Sequence, residues 1–484
     1  MKKYSILLLM FLGVFYACQD DFLTIEEREA ILTSDGTANN NAGAESLVTA
    51  VYGKFLDWNM SSFSWIGITS ITTDDADKGS EPGDLGTDKK DLDDLEWTAS
   101  SASFNEVYRA NYEAINKANY AIEQLPLISG ADAGLRTRLD AEAKFLRAFT
   151  YFNLVRLFGA VPLADHVLNS TIPDDLQMSR ERKSVNEVYA FIEQDLTTAI
   201  ANLPDRSAYG SADKGRVSKG SALALMTKVK LYRQQWSEVV SYANQITGYS
   251  LTPNYAEIFK VSGEFNQESL FEINGWGSDP ARGIQQYSQC QGARGSGGWG
   301  WGFNIPSASL LNAYETGDTR KAATVIFAGQ TLYDGRVVPA TVNNPYYNYK
   351  AYSPNNGNPG ADNTDTNIRY LRYSEVLLMK AEALNELNDL AGAKTELNKV
   401  RNRAGLANTT ANTKDDLRTA IWKERRVELA FEHDRWFDLI RTGQAQQALA
   451  DHGKTFVVGK HELFPIPQNV IDESEGVTSQ NPNY

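Results

Sequence analysis

Two carboxylates on one helical face are the most chemically suggestive pattern in this sequence. Leu417, Ile421, Glu424, Glu428 and Phe431 fall on one stripe of a helical repeat, so Glu424 and Glu428 interrupt an apolar face. A pair of carboxyl groups flanking a scissile bond is the equipment of a glycosidase. The competing reading is a set of buried ion bridges to Arg369, Arg372 or Arg403. Charges taken out of water must be paired, and the guanidinium fork matches a carboxylate. The stripe sits in a helical frame, away from loops a polymer could enter, which favours the ion bridges.

Asp74, Asp75 and Asp77 form a second acidic group ahead of Gly79. An EF-hand loop needs a bidentate Glu eleven positions after its first ligand, but Gly86 stands there when counting starts at Asp75. The group reads as a solvated loop or as polar contacts to a ligand, with Ca²⁺ as the alternative. GARGSGGWGWG (Gly292–Gly302) lacks the Gly-Lys-Ser/Thr ending of a phosphate loop. Four scattered histidines form no HExxH pair, and two cysteines allow at most one disulfide and no cysteine-based zinc site. No metal site is assigned.

Aromatic side chains in polar stretches offer a different chemistry. Sugar rings present C–H faces that pack on aromatic planes, and their hydroxyls need amide, carboxylate or guanidinium partners. Trp276, Tyr287, Trp299 and Trp301 lie in one such stretch, with Arg282, Gln285, Arg294 and Asn304 close by, and Trp65 lies in another. Apart from Gln285, these residues, together with Asp74 and Asp75, are the candidate glycan contacts. Trp97, Trp236, Trp422 and Trp436 lie in or beside helices and read as core.

The elements that position these side chains are amphipathic helices. Leu47, Val51, Tyr52 and Phe55 keep helical spacing, as do Val185, Val188, Tyr189, Ile192, Leu196 and Leu203. Phe145, Ala148, Phe149 and Phe152 repeat the pattern, and that helix stops at Gly159 with Pro162 beyond. Two regions read as helix-turn-helix pairs of tetratricopeptide type, breaking at Gln234-Gln235 and at Asn388-Asp389. Long polar stretches from Asp57 to Trp97 and from Phe265 to Thr366 interrupt them. Loops of that length are usually functional.

The whole chain has 484 residues, 42% hydrophobic and 22% charged, with a net charge of -14. An acidic surface argues against nucleic acid and against docking on anionic lipid. At the N-terminus, Lys2 and Lys3 precede an uncharged run from Tyr4 to Ala17. That is the layout of a secretory signal, shorter than the roughly 20 residues a spanning helix requires.

Five segments carry a family resemblance. VFYACQDDFL (Val14–Leu23) resembles a lipoprotein signal, with Cys18 as the lipidated residue and Gln19-Asp20-Asp21 similar to a surface-export signal of Bacteroidetes-type bacteria. AEAKFLRAFTYFNLVRLFGAVPL (Ala141–Leu163), IRYLRYSEVLLMKAEALNEL (Ile368–Leu387), ERRVELAFEHDRWFDLIRTG (Glu424–Gly443) and LFPIPQNVIDESEGVTSQNPNY (Leu463–Tyr484) resemble, in order, hallmarks of the SusD/RagB family of outer-membrane nutrient-binding lipoproteins. The resemblance implies an all-α, SusD-like fold with TPR-like helix pairs as scaffold and irregular loops with short strands bearing the ligand site. It implies a signal peptide over residues 1–17, a lipidated Cys18 and tether over 18–44, and one domain over 45–484. Within that domain, 45–260 would be the N-terminal family segment and 265–484 the C-terminal one. It further implies a lipid-anchored protein facing the cell exterior that binds glycan, or peptide in the RagB branch, without a cofactor or an enzymatic step. The partner implied is a SusC-like TonB-dependent outer-membrane porin. Cys290 then remains a free thiol.

Overall fold

The computed structural model describes residues 39–84, 87–275, 283–354 and 363–484. The signal segment, Cys18, Trp276 and Arg282 lie outside the described residues.

The frame is helical, as the spacing predicts. Its axis is the Ala133–Phe158 helix, which is buried on all sides through most of its second half. A helix apolar all round belongs in the middle of a core. It packs against Ala102–Gln124 on one side and Val185–Asn202 on the other. Gly159 ends it with φ of +72°, and a Cβ there would lie 2.8 Å from Leu463 Cδ1. Val185–Asn202 opens with a capping box, in which Ser184 accepts from Glu187 N and the Glu187 carboxylate accepts from Ser184 N.

Both predicted helix pairs form. Lys219–Tyr232 turns through Gln234, at φ +54°, into Trp236–Gln245. Tyr373–Glu386 turns through Asn388, at φ +65°, into Leu390–Arg403. Residues 246–372 separate the pairs in sequence, yet Trp236–Gln245 packs directly on Tyr373–Glu386. The helical stack is therefore continuous in space although interrupted in sequence. Lys414–Leu429 closes it by packing on the last pair. The C-terminal tail is sewn onto the frame: Asn481 Nδ2 donates to the carbonyls of Phe158 (3.0 Å) and Phe464 (2.7 Å).

Two expectations need correction. The tether does not run to residue 44, because Asn40 caps a helix over Asn41–Lys54, accepting from Gly43 N at 3.0 Å. The stretch from Asp57 is not a polar loop at its start. Residues 60–76 are all buried, in short helices Trp58–Ser61 and Phe63–Ile66 and a π-helical turn Gly67–Ile71. Its hydroxyls are satisfied locally. Ser61, Thr69 and Thr72 donate to the carbonyls of Phe55, Trp65 and Ile68 at 2.6–2.7 Å. Side chains that bond their own backbone hide burial from a hydropathy reading.

The second insertion folds as small antiparallel strand pairs on the frame. Ser269–Ile273 pairs with Ile368–Arg372, Ala76–Gly79 with Phe303–Pro306, and Val325–Phe327 with Tyr346–Asn348. A separate small core of Ala293, Ile326, Leu332, Val338, Tyr347 and Tyr352 holds this loop layer together.

Glu424 and Glu428 meet guanidinium groups and no open cleft. Glu428 accepts from Arg403 (2.5 Å), Arg372 (2.9 Å) and Arg320 (3.1 Å). Glu424 pairs with Arg320 (2.6 Å) and Arg401 (3.0 Å). Burial pushes both carboxyls upward. At Glu428 the cations at Arg403, Arg372 and Arg320 overcome it and hold the carboxyl well below its usual range. At Glu424 burial prevails and the carboxyl lies above its usual range. Arg369 reaches neither glutamate. It donates to the carbonyl of Lys260 at 2.7 Å and faces Glu272 at 3.8 Å, because its strand turns it away from the Glu424–Glu428 stripe.

Candidate functional site

The Gly292–Gly302 segment is a tightly bonded crossing. Trp299 N and Gly300 N donate to Ala293 O at 2.8 and 2.9 Å, Trp301 N donates to Gln289 O at 2.8 Å, and Gly302 N donates to Gly292 O at 2.9 Å. Gly292 and Gly300 touch backbone to backbone, and a Cβ on Gly300 would lie 2.5 Å from Gly292 Cα. Glycine is required here for close approach. The crossing holds two indoles at the surface of the loop layer.

Trp301 is half-buried, 5.9 Å from Trp58 at 66° and 5.9 Å from Phe63 at 84°. Phe63 forms the floor, 4.8 Å from Phe303, with the Lys89 ammonium 4.2 Å over its ring. The backbone at Trp58 is fixed from the opposite insertion, since its main-chain N–H donates to Gln285 Oε1 at 2.9 Å. Trp299, also half-buried, meets Tyr352 at 5.6 Å and carries the Arg336 guanidinium 4.7 Å over its ring. Edge-to-face packing of this kind fixes ring orientation beyond simple area burial.

A polar rim borders these rings. Arg294 donates to Asp84 (2.7 Å), Ser80 Oγ (2.9 Å) and Glu81 (3.1 Å). Asn343 Nδ2 donates to the same Glu81 carboxylate at 2.9 Å, and Asn344 Nδ2 to Ser80 O at 3.2 Å. Exposed carboxylate, amide and guanidinium groups beside apolar planes make a surface suited to a ring bearing many hydroxyls.

Of the sequence candidates, the crossing carries Arg294, Trp299 and Trp301, with Trp301 packed on the main core and Trp299 on the small core of the loop layer. Five others do not reach this face. Trp65 is 1% exposed, packed between Tyr370 and His433. Tyr287 is buried, its hydroxyl 3.2 Å from His433 Nε2. Burial pushes His433 down to about 4, so this core imidazole is neutral at physiological pH. Asn304 is buried at φ +57°, accepting from Ser70 Oγ at 2.7 Å and donating to Gln291 Oε1 at 2.8 Å.

Asp74 and Asp75 are the fourth and fifth, and both are buried. The Arg435 fork grips both Asp74 oxygens at 2.8 Å, and Arg426 meets Asp75 at 2.7 Å. With their charge taken by arginines, neither is placed for a sugar hydroxyl or a Ca²⁺ ion. Among the described residues no cluster of three or more His, Cys, Asp or Glu could hold a metal. Cys290 is buried and free.

Sequence reasoning missed Trp58, Arg336, Tyr352 and the Glu81–Asn343 rim. Trp58 carried a usable signal, since it stands with Asp57 at the start of the first polar stretch. The others follow from strand pairings no local pattern encodes.

A stacked helical frame carrying a loop layer with an aromatic, polar-rimmed face defines a ligand-binding class of protein. The chain belongs to the SusD family: the model described as the SusD family matches residues 267–484, and one described as starch-binding, associating with the outer membrane, matches residues 32–231. A SusD-like protein P2 of Formosa agariphila is 28% identical over 100% of both chains. The starch-binding protein SusD of Bacteroides thetaiotaomicron is 25% identical over 81% of each. A solved laminarin-binding SusD-like protein superposes with a TM-score of 0.76 at 31% identity, covering 92% of this chain and 100% of that one. Two of these relatives are named for glycan binding, one for starch and one for laminarin, and the second family model is described as associating with the outer membrane. Among the described residues no helix is long and apolar enough to cross a membrane.

Proposed function

We propose that this protein is a cell-surface lipoprotein that captures an oligo- or polysaccharide and passes it to a SusC-like TonB-dependent porin. The observation that carries the reading is the half-buried Trp58, Trp301 and Trp299 set beside the Arg294–Glu81–Asn343 rim. Flat apolar planes would take the sugar faces, and the rim would take the hydroxyls. Glu424 and Glu428 are given no bond-breaking role, since arginines engage both in the core. Relatives named for laminarin and starch binding support a glycan as the ligand and set the first two polysaccharides to try.

The test is calorimetric titration of the chain from residue 19 onward against a glycan panel that includes laminarin and starch oligosaccharides. Saturable binding to at least one glycan is expected. Binding to oligopeptides with none to any glycan would move the protein to the RagB-like peptide reading.

Membrane attachment rests in this proposal on Cys18. Metabolic labelling with a fatty-acid precursor is expected to mark the wild type and leave Cys18→Ala unlabelled and released from the membrane fraction. Two signals or several chains are needed for stable anchoring, so one lost cysteine removes the whole attachment. A labelled variant would refute the assignment.

A further inference from the structure

Beyond the tryptophan face, the loop layer holds a pocket of about 150 Å³ lined by Phe259, Lys260, Thr319, Ala322, Tyr333 and Tyr349. An apolar cavity of about that size accommodates a benzene-sized ring. The Tyr333 and Tyr349 ring planes lie within 18° of each other with centroids 6.0 Å apart, and Tyr333 is 40% exposed. Small side chains at Ala322 and Ala323 leave the opposite wall open to an incoming ring.

The polar equipment is neutral overall. Lys260 Nζ lies 4.8 Å over Tyr333 and is paired with Glu257 at 2.7 Å. Thr319 Oγ1 donates to Ala404 O at 3.0 Å, which leaves its oxygen able to accept from a ligand hydroxyl. Arg369 fixes this rim by donating to Lys260 O. A compensated ammonium–carboxylate pair and a hydroxyl beside parallel phenols fit an uncharged polyhydroxylated ring better than an anion.

The pocket is linked to the tryptophan face through one residue. Tyr352 lies 5.6 Å from Trp299, 5.6 Å from Tyr333 and 5.8 Å from Tyr349. Tyr352 is only 3% exposed, so this one buried ring backs both sites from beneath and fixes them relative to each other.

We infer that the Tyr333–Tyr349 pocket is a second subsite, which takes a neutral sugar ring further along the same glycan chain. The inference rests on the glycan-capture reading. A short oligosaccharide fills only the tryptophan face, whereas a longer one gains contacts at Tyr333, Tyr349, Lys260 and Thr319. Affinity should then rise with chain length beyond what the tryptophan face alone provides.

The experiment is a length series of one bound glycan, from disaccharide to at least octasaccharide, titrated into wild type, Tyr333→Ala and Ala322→Trp. Tyr333 and Ala322 are both exposed, so both variants should fold, and melting curves check this. Ala322→Trp blocks the pocket without removing any native contact of the tyrosines. Expected is a rise in wild-type affinity with length of about tenfold, the scale of one aromatic contact. Both variants should lose that gain while keeping wild-type affinity for the shortest ligand that binds. A length gain that survives in both variants overturns the subsite, as does a wild type with no length gain, and capture at the tryptophan face then stands. A wild type that binds no glycan of any length overturns both readings.

Discussion

Arg372→Met lowers the unfolding free energy by about 3–5 kcal/mol, the range for removing one partner from a buried charged set. Arg372 ends the Ile368–Arg372 strand, and its guanidinium meets Glu268 (2.5 Å), Glu432 (2.7 Å) and Glu428 (2.9 Å). The same carboxylates are shared with Arg403, Arg320 and Lys350. Arg320 and Lys350 come from the loop layer, Arg403 and Glu428 from frame helices, so the network pins one to the other. Methionine fills much of the volume but leaves three carboxylates short of a cation. Urea unfolding is the measurement. Glu81→Gln, at the exposed Arg294 pair, serves as the control and should change stability by about 1 kcal/mol or less. Equal effects of the two substitutions would show that the network is not a structural hub.

The network also sets an acid response. Glu428 is held below its ordinary value of 4.5. A carboxyl with a depressed folded value contributes stability that is present above the unfolded value and lost as pH falls through the folded one. Stability should therefore decline as pH drops below about 4.5, and the decline should be shallower in Glu428→Gln.

The frame was legible in the sequence because helical periodicity is a local signal. The stop at Gly159 and the breaks at Gln234-Gln235 and Asn388-Asp389 all follow from nearest neighbours. The loop layer was legible only in part. Trp299 and Trp301 are flanked by glycines, which permit a tight backbone crossing that presents both rings. Trp65 and Tyr287 looked equivalent to them by composition. Their burial depends on Tyr370 and His433, which arrive from distant segments. Asp74 and Asp75 looked solvated for the same reason, since Arg426 and Arg435 lie more than three hundred and fifty positions away. A short polar motif does not show which arginine will reach it.

Trp301→Ala is expected to weaken glycan binding at least tenfold, about 1.4 kcal/mol, and the double change with Trp299→Ala to abolish measurable binding. Trp301 is the ring most firmly aimed. Trp58 and Phe63 brace it from two directions at 5.9 Å, and its backbone N–H is tied to Gln289 O at 2.8 Å. A plane held in one orientation before the ligand arrives loses little entropy on binding. Trp299 is braced by Tyr352 and by the Arg336 guanidinium, so its loss also frees a cation beside the site. Loss of packing must be separated from loss of contact. Trp301→Phe keeps an apolar ring in the brace but shortens the platform, and should bind between wild type and Trp301→Ala while melting with wild type. Intrinsic fluorescence gives an independent readout. Glycan addition should shift wild-type emission, and the shift should vanish in the double variant while seven tryptophans remain of the nine in the sequence. Full affinity with an intact emission shift in the double variant would move the capture site off this face.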